Sequence, residues 1–507
     1  MTEVQVNGIE NTLSQFGISA PNVSVKNLTL DSRQIRSDTG FVAVKGHVLD
    51  GREFIPQAIS LGAPIIIQEV DSSEEHGETD MRGNSIIVGF YQLHAHLSEL
   101  ADSFYRHPSQ SMCVVAVTGT NGKTSTVQFI AQLSALSGRY AASIGTLGVN
   151  LHQNDNTESL GETVNTTPDA IALQRYMSEL QTRGIQICTL EASSHGLVQG
   201  RLSALNTKVA VFTNLSRDHL DYHGSMADYA GAKRLLLKQS GLEYLVLNSN
   251  EAESEKWLQA KPNSIQAVLC SIASDASIPK VHRYCHAKYI QYSSTGCSFQ
   301  LVSSWGQTNI NTSLLGEFNL SNLLQSIAVK LCLGADLSEL AEACSAVNSI
   351  PGRMEQFCGY QQPTLVVDYA HTPDALAKAL TVLRVHCEGH LWCVFGCGGE
   401  RDAGKRPQMG KVAEDLADKI TVTTDNSRSE APQKIIDEIL SGMVMPNQVC
   451  VELDREQAIR DTWHNAKAED VILIAGKGHE TVQICGNQHL EFSDREIAKT
   501  LQEARSC

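Results

Sequence analysis

The chain has no excess of positive charge, no long apolar run, no Cys-x-x-Cys pair and no internal repeat. Its 40 Lys and Arg stand against 56 Asp and Glu, a formal net charge of −16. That balance argues against general nucleic-acid or acidic-membrane binding, either of which needs a basic face, and leaves room only for a local basic pocket. No apolar run reaches the ~18–20 residues that span a bilayer, and the first residues lack a basic segment followed by an apolar one. The expectation is a cytoplasmic protein without membrane insertion. The fourteen cysteines are scattered through apolar, strand-like runs such as Leu391–Phe395. Cys393 and Cys397 are the closest pair, and in an extended strand they share a face without forming a zinc knuckle, so reduced and mostly buried thiols are expected.

At 507 residues the chain exceeds what one core usually supports, and three domains are expected. Residues 1–110 mix short strands at 41–44, 64–67 and 85–88 with helical stretches near 54–61 and 93–105. They end in the polar break Arg106-His107-Pro108-Ser109-Gln110. Residues 111–349 alternate apolar strands at 114–117, 186–190, 208–212 and 244–247 with helices, the pattern of a parallel sheet. The polar stretch 250–315 reads as short strands and loops, and 323–333 as a helix. A second boundary falls at Ile350-Pro351-Gly352-Arg353. Residues 350–507 resume the alternation, with strands at 364–367, 391–395, 420–423, 449–452 and 471–475 and a helix opened by Thr372-Pro373-Asp374.

What the chain does have is a phosphate cradle. In Val114-Val115-Ala116-Val117-Thr118-Gly119-Thr120-Asn121-Gly122-Lys123-Thr124-Ser125 an apolar strand runs into a glycine-rich turn, and Lys-Thr opens a helix. Glycines let backbone N–H groups approach an anion, Lys123 adds a point charge, and the Thr124 hydroxyl can ligate magnesium. The usual loop has a glycine five residues before Gly122; here that position is Val117, so the loop is a shortened variant. A nucleoside triphosphate is the expected ligand. The fold class is therefore α/β: a small N-terminal domain, a central parallel-sheet ATPase domain and a C-terminal doubly wound domain.

Further polar segments follow apolar strands, where ligands of open α/β sheets bind. Glu191, in Glu191-Ala192-Ser193-Ser194-His195-Gly196, reads equally as a magnesium carboxylate or as an acid at a helix start. Thr213 to Gly224 packs five ionisable side chains into twelve residues, a density that favours a metal or phosphate role, with His219 within reach of a second metal. Lys233 sits on a helix and reads by default as a solvated lysine. Asp368 and His371 suit ribose hydroxyls or a base, or simply a capped helix start. Gly396-Cys397-Gly398-Gly399-Glu400-Arg401-Asp402 lacks the Lys-Thr of a phosphate loop. Asp425-Asn426-Ser427-Arg428 and Gly476-Lys477-Gly478-His479-Glu480 mix acids, an amide and cations, a set that suits a zwitterionic amino acid and equally describes surface turns.

Together, Thr118 to Thr124, Glu191 to His195, Thr213 to His219, Gly316-Glu-Phe-Asn-Leu-Ser-Asn322, Pro351-Gly-Arg353 and Asp368-Tyr-Ala-His371 resemble the Mur ligases of peptidoglycan precursor synthesis over nearly the whole chain. Within that family, Leu30-Asp31-Ser32-Arg33, Gly46-His47, Asn165-Thr166-Thr167 and the Asp425-Asn426-x-Arg428 loop resemble the branch that adds the third peptide residue. The resemblance implies an ATP-dependent ligation, through an acyl phosphate, of meso-diaminopimelate to a UDP-N-acetylmuramoyl dipeptide. A lysine-adding ligase is the alternative; folylpolyglutamate synthase leaves the N-terminal domain and Asn165 to Thr167 unaccounted for. No nucleic-acid partner is implied, and a monomer is expected.

The same resemblance implies residue roles. Gly119, Thr120, Asn121, Gly122, Lys123, Thr124 and Ser125, with Asn322, Arg353, Asp368 and His371, would contact ATP, with domain closure completing the site. Thr124, Glu191, His219 and Lys233 would surround Mg2+, Lys233 as the carbamate (N6-carboxylysine), and Lys123, Glu191, His219 and Lys233 would be catalytic. Leu30, Ser32, His47, Val48 and Leu49 would hold the uridine diphosphate. Asn165, Thr166, Thr167, Ser193, Gln199 and Arg201 would hold the muramoyl-peptide. Arg401, Asp425, Asn426, Ser427, Arg428, Gly476 and Glu480 would receive the amino acid. Ser427 stands where the family loop usually has proline, which restricts the backbone, and Val48-Leu49 replaces a more polar pair.

Overall fold

The computed structural model describes residues 6–46, 49–273, 282–293 and 295–503. It separates into two compact units: Met1–His286 with Ser303–Trp305 and Asn322–Leu340, and Ala287–Val302 with Gly306–Ser321 and Ala341–Cys507.

The first unit holds two sheets. Near its N-terminus β1 (Asn27–Thr29), β2 (Thr39–Ala43), β3 (Ile65–Val70), β4 (Thr79–Arg82) and β5 (Ser85–Tyr91) pair in the order β1-β2-β3-β5-β4, all parallel except the β4 edge. The second sheet contains β6 (Cys113–Thr118), β7 (Ala141–Gly145), β8 (Gly148–Gln153), β9 (Asn156–Gly161), β10 (Ile187–Glu191), β11 (Thr207–Phe212), β12 (Tyr244–Asn248) and β13 (Gln266–Ser271). Their order is β13-β12-β11-β6-β10-β7-β8-β9, with β8 and β9 antiparallel and the rest parallel. The central strands are buried along their length because helices cover a parallel sheet on both faces. Ile171, from helix Ala170–Thr182, belongs to the N-terminal hydrophobic core, and the Tyr105 hydroxyl accepts from the Leu28 N–H at 3.2 Å. The packing of Ile171 on that core ties residues 1–110 to the part of the chain that holds the larger sheet.

The stretch 250–315 is more regular than expected. It holds helix Glu253–Ala260, β13, the eleven-residue β14 (Arg283–Ser293), β15 (Gly296–Ser303) and β16 (Gly306–Thr312). Beyond Ala287, β14 alternates half-buried with exposed positions, so its apolar signal is diluted. The helix expected at 323–333 begins earlier, spanning Glu317–Cys332.

In the second unit β17 (Glu355–Phe357), β18 (Thr364–Asp368), β19 (Leu391–Phe395), β20 (Lys419–Val422), β21 (Cys450–Val451) and β22 (Val471–Ala475) pair in the order β17-β18-β22-β19-β20-β21, parallel except for β17. A hairpin of β23 (Val482–Cys485) and β24 (Gln488–Glu491) follows. The Thr372 side chain caps helix Pro373–Arg384 by accepting from the Ala375 N–H. All thirteen described cysteines are free, and Cys393 and Cys397 are buried. Among the described residues no helix is long and apolar enough to cross a membrane.

Candidate active site

Register builds the candidate site of the first unit. β6 pairs Val117 with Glu191 at the end of β10 and Thr118 with Phe212 at the end of β11, so the loop after Thr118 meets Glu191 on one side and Thr213-Asn214 on the other. Gly119 has φ +146°, and a Cβ there would lie 1.9 Å from Thr213 Oγ1; Gly122 has φ +80°, with Asn322 Oδ1 2.5 Å from the same test position. No other residue type fits either place. The turn is fastened by Asn214, whose side chain accepts from the Asn121 N–H (2.9 Å) and donates to the Asn121 carbonyl (3.0 Å), and by the Thr213 hydroxyl, which donates to that carbonyl at 2.6 Å. Thr120 adds a hydrogen bond with the Tyr229 hydroxyl. Lys123 opens helix Lys123–Leu136 and donates to the Gly119 and Thr120 carbonyls; Thr124 and Ser125 continue its first turn.

Glu191 is buried, and its Oε1 accepts from the Thr124 hydroxyl (3.0 Å) and the Thr146 N–H (2.8 Å). Burial lifts its carboxyl above the ordinary range, opposed by Lys123 and these hydrogen bonds. Gly145 makes room for it, since a Cβ there would stand 2.2 Å from Glu191 Oε1.

A cavity of about 290 Å³ opens beside this loop. Its lining brings together Lys123, His219 and Lys233 with Asn165, Thr166, Thr167, Ser193 and Arg201, residues drawn from two separately expected groups. Thr167 Oγ1 donates to the Glu191 carbonyl and accepts from the Ser193 N–H, and Arg201 holds both the Thr167 carbonyl and Gln199 Oε1. His195 and Tyr229 also line the cavity; the sequence reading assigned them no role.

Lys233 is the main correction. The solvated lysine of the residue-level reading is only 1% exposed; its Nζ donates to the Gly119 carbonyl at 2.7 Å and lies 4.4 Å from the Tyr229 ring centroid. Burial and the neighbouring Lys123 push it down to about 6. Helix Met226–Arg234 buries Tyr229, Ala230, Ala232 and Lys233 together, so this lysine lies on the inward face.

Thr124 and Glu191 present a hydroxyl and a carboxylate oxygen 3.0 Å apart, the hard donors a magnesium ion requires. The ammonium form of Lys233 does not fit a cation; a carbamate on the same nitrogen would supply oxygen in its place. His219 adopts φ +51° and contacts Asp218 and the His195 ring. Among the described residues no cluster of three or more His, Cys, Asp or Glu is arranged as a metal site.

The residues expected to hold the uridine diphosphate are less completely described. Ser32 is buried and donates to Gln57 Oε1 at 2.8 Å, Leu30 packs on the N-terminal core, and Leu49 is exposed with its carbonyl accepting from the Gly46 N–H. His47 and Val48 lie outside the described residues.

In the second unit, Asp368, Ala475, Phe395 and Val422 are in register across β18, β22, β19 and β20, so the loops that follow share one edge. Asp368 accepts from the Met354 N–H at 2.8 Å, and burial raises its carboxyl. The Arg353 guanidinium lies 5.0 Å over the Tyr369 ring, and His371 Nδ1 is 2.8 Å from the Tyr369 carbonyl. Gly476 has φ +121° against Asp425, whose Oδ2 would meet a Cβ there at 2.7 Å. Asn426 Nδ2 donates to Glu480 Oε2 at 3.0 Å. Arg428, at φ +50°, donates to the Gly399 carbonyl, and Gly399 itself is pressed against the Ser427 carbonyl. Arg401 is exposed. Beneath these loops Arg455, fully buried with Asp494, donates to the Thr424 and Ala475 carbonyls, the last before Asp425 and Gly476. Arg455 had no signal in the sequence beyond its charge within a helix.

Three domain profiles match the chain: Mur ligase family, catalytic domain at residues 24–105; Mur ligase middle domain at 117–330; and Mur ligase, glutamate ligase domain at 352–478. The UDP-N-acetylmuramoyl-L-alanyl-D-glutamate--2,6-diaminopimelate ligase of Vibrio vulnificus (strain YJ016) is 41% identical over 501 residues, covering 97% of this chain and 99% of that protein. The protein of the same name from Haemophilus influenzae (strain PittGG) is 43% identical over 477 residues, 94% of this chain and 96% of that protein. A solved structure of a ligase with that name superimposes with a TM-score of 0.74 at 31% identity, covering 99% of this chain and 100% of that one. The chain belongs to the Mur ligase family and is an ATP-dependent, amide-bond-forming ligase.

Proposed function

We propose that this chain joins meso-2,6-diaminopimelate to the D-glutamate of UDP-N-acetylmuramoyl-L-alanyl-D-glutamate in the cytoplasm, as a monomer. ATP phosphorylates the D-glutamate side-chain carboxylate, the amine of the incoming amino acid attacks the acyl phosphate, and phosphate leaves from a tetrahedral intermediate. Such chemistry asks the protein mainly for positioning and charge neutralisation. Lys123 and the loop N–H groups from Gly119 to Ser125 hold the phosphates. Thr124 and Glu191 would hold Mg2+, with His219 and a carbamylated Lys233 as further ligands; the metal would supply charge neutralisation. Asn322, Arg353, Asp368 and His371 contact the nucleotide. Asn165, Thr166, Thr167, Ser193, Gln199 and Arg201 orient the muramoyl-peptide, and Leu30, Ser32 and the 47–49 turn hold its uridine diphosphate. Arg401, Asp425, Asn426, Ser427, Arg428, Gly476 and Glu480 receive the amino acid.

The observation that carries this reading is the cavity in which Lys123 and Lys233 meet Asn165, Thr166, Thr167, Ser193 and Arg201: a phosphate-handling lysine beside neutral hydrogen-bonding groups and one guanidinium suits transfer of a phosphoryl group to a peptide carboxylate. Diaminopimelate is favoured over lysine because Arg428 suits a carboxylate that lysine lacks. The test is mass spectrometry of products from ATP, the UDP-muramoyl dipeptide and equal amounts of diaminopimelate and L-lysine. The expected product is the diaminopimelate amide with ADP; a lysine amide of equal or greater yield would reject the specificity, and phosphate release indifferent to the dipeptide would reject the ligase.

A further inference from the structure

The second unit contains a charged group that the proposed chemistry does not use. Lys477 follows β22, and its side chain is wholly buried. Its ammonium group donates to Asn426 Oδ1 (3.1 Å), Glu480 Oε2 (3.1 Å) and the Val482 carbonyl (2.7 Å), so its three hydrogens match three acceptors. Asn426 Oδ1 also accepts from the Ile484 N–H at 2.9 Å, while Asn426 Nδ2 donates to Glu480 Oε2 at 3.0 Å. Rotating the Asn426 amide by half a turn would set its NH2 against two donors and its oxygen against a carboxylate. One orientation survives.

That orientation decides what remains for a ligand. An NH2 group has two hydrogens, and Glu480 takes one of them. Glu480 Oε2 is occupied, and Oε1 makes none of these contacts. Arg428 commits Nη1 to the Gly399 and Asn426 carbonyls, and its Nε–Nη2 edge takes no part in them. The residual set is one amide N–H, one carboxylate oxygen and one guanidinium edge, which matches a group carrying both a carboxylate and an ammonium.

We propose that Lys477 is a positioning residue that sets amino-acid selectivity: it never touches the substrate, and it fixes which atoms of Asn426 and Glu480 are presented to it. This rests on the proposed amino-acid site. The test uses the full chain with Lys477→Met and Lys477→Gln, measuring kcat and KM separately for ATP, the UDP-dipeptide and diaminopimelate, with thermal melting as the fold check. Lys477→Met should raise the KM for diaminopimelate at least tenfold, change kcat less than threefold and leave the other two KM values within twofold. It should also narrow the preference for diaminopimelate over L-lysine. Lys477→Gln, which can still donate to Asn426 and Glu480, should recover most of the loss. Parallel shifts in all three KM values, a fall in kcat alone, or loss of folding in both variants assigns Lys477 to packing and overturns the proposal. If the unmodified chain forms no diaminopimelate amide, the site reading itself is refuted and the proposal falls with it.

Discussion

Lys233 in the first unit and Lys477 in the second are almost equally hidden, 1% and 0% exposed. Lys477 meets three acceptors, one of them a carboxylate. Lys233 meets one carbonyl and the face of a tyrosine, with Lys123 as a like-charged neighbour. An ammonium has three hydrogens to place, and a buried charge is tolerated only when it is paired. Lys233 therefore gives up its proton: burial, then Lys123, push it down to about 6, leaving mostly the free amine at neutral pH. A free amine has the lone pair that attacks carbon dioxide; an ammonium does not. Equal burial thus produces a modifiable nucleophile in one place and a fixed strut in the other, and the difference lies in the number of acceptors.

The largest expected effect separates the two by chemistry. Lys233→Ala should lower kcat by about 10³-fold, the scale of losing a charge-stabilising group from a preorganised site, and added bicarbonate should not restore it. With 13C-bicarbonate, a carbamate resonance is expected in the unmodified chain and in Lys477→Met but not in Lys233→Ala. A resonance that survives Lys233→Ala, or near-normal activity of that variant, would remove Lys233 from its proposed role. Stability should separate the two in the opposite sense. Lys477→Met removes one of two donors from Asn426 Oδ1 and from Glu480 Oε2, and the ammonium partner of the Val482 carbonyl, and is expected to destabilise by about 2 kcal/mol in urea unfolding at pH 7. Lys233→Met removes a poorly satisfied polar group and is expected to be neutral or stabilising. The smallest effect is a slope. Because the folded-state pKa of Lys233 lies near 6 and its ordinary value is 10.5, the unfolded chain binds the extra proton between those limits. The contribution of Lys233 therefore makes stability rise with pH across that window and go flat below it, by at most ~1.4 kcal/mol per pH unit for one group. Melting curves at pH 7 and pH 9 should show a shallower rise in Lys233→Met than in the unmodified chain.

How far the sequence carried depended on the range of the forces involved. β19 and β22 begin and end where apolar runs placed them, because strands buried on both faces are continuous apolar segments. β14 and β16 were obscured because half-exposed strands mix polar with apolar residues. The glycine turn was legible because the groups expected to hold an anion are consecutive backbone amides, and the place of Glu191 because it closes an apolar strand. Lys233 was misread at the residue level, as nothing in helix Met226–Arg234 distinguishes its buried lysine from a solvated one. Asn426 is expected from the resemblance to receive the amino acid, and its oxygen is taken by Lys477 and Ile484.

Local pattern was thus enough to name the strands, the glycine turn and the polar residues at the strand ends, because those properties belong to short stretches of backbone and their apolar neighbours. Which lysine is a free amine and which is a strut depended on atoms distant in the chain: Lys233 bonds a carbonyl 114 residues away, and Lys477 orients an amide 51 residues away. Desolvation and hydrogen-bond satisfaction are sums over spatial neighbours, so they acquire values only once the chain has folded.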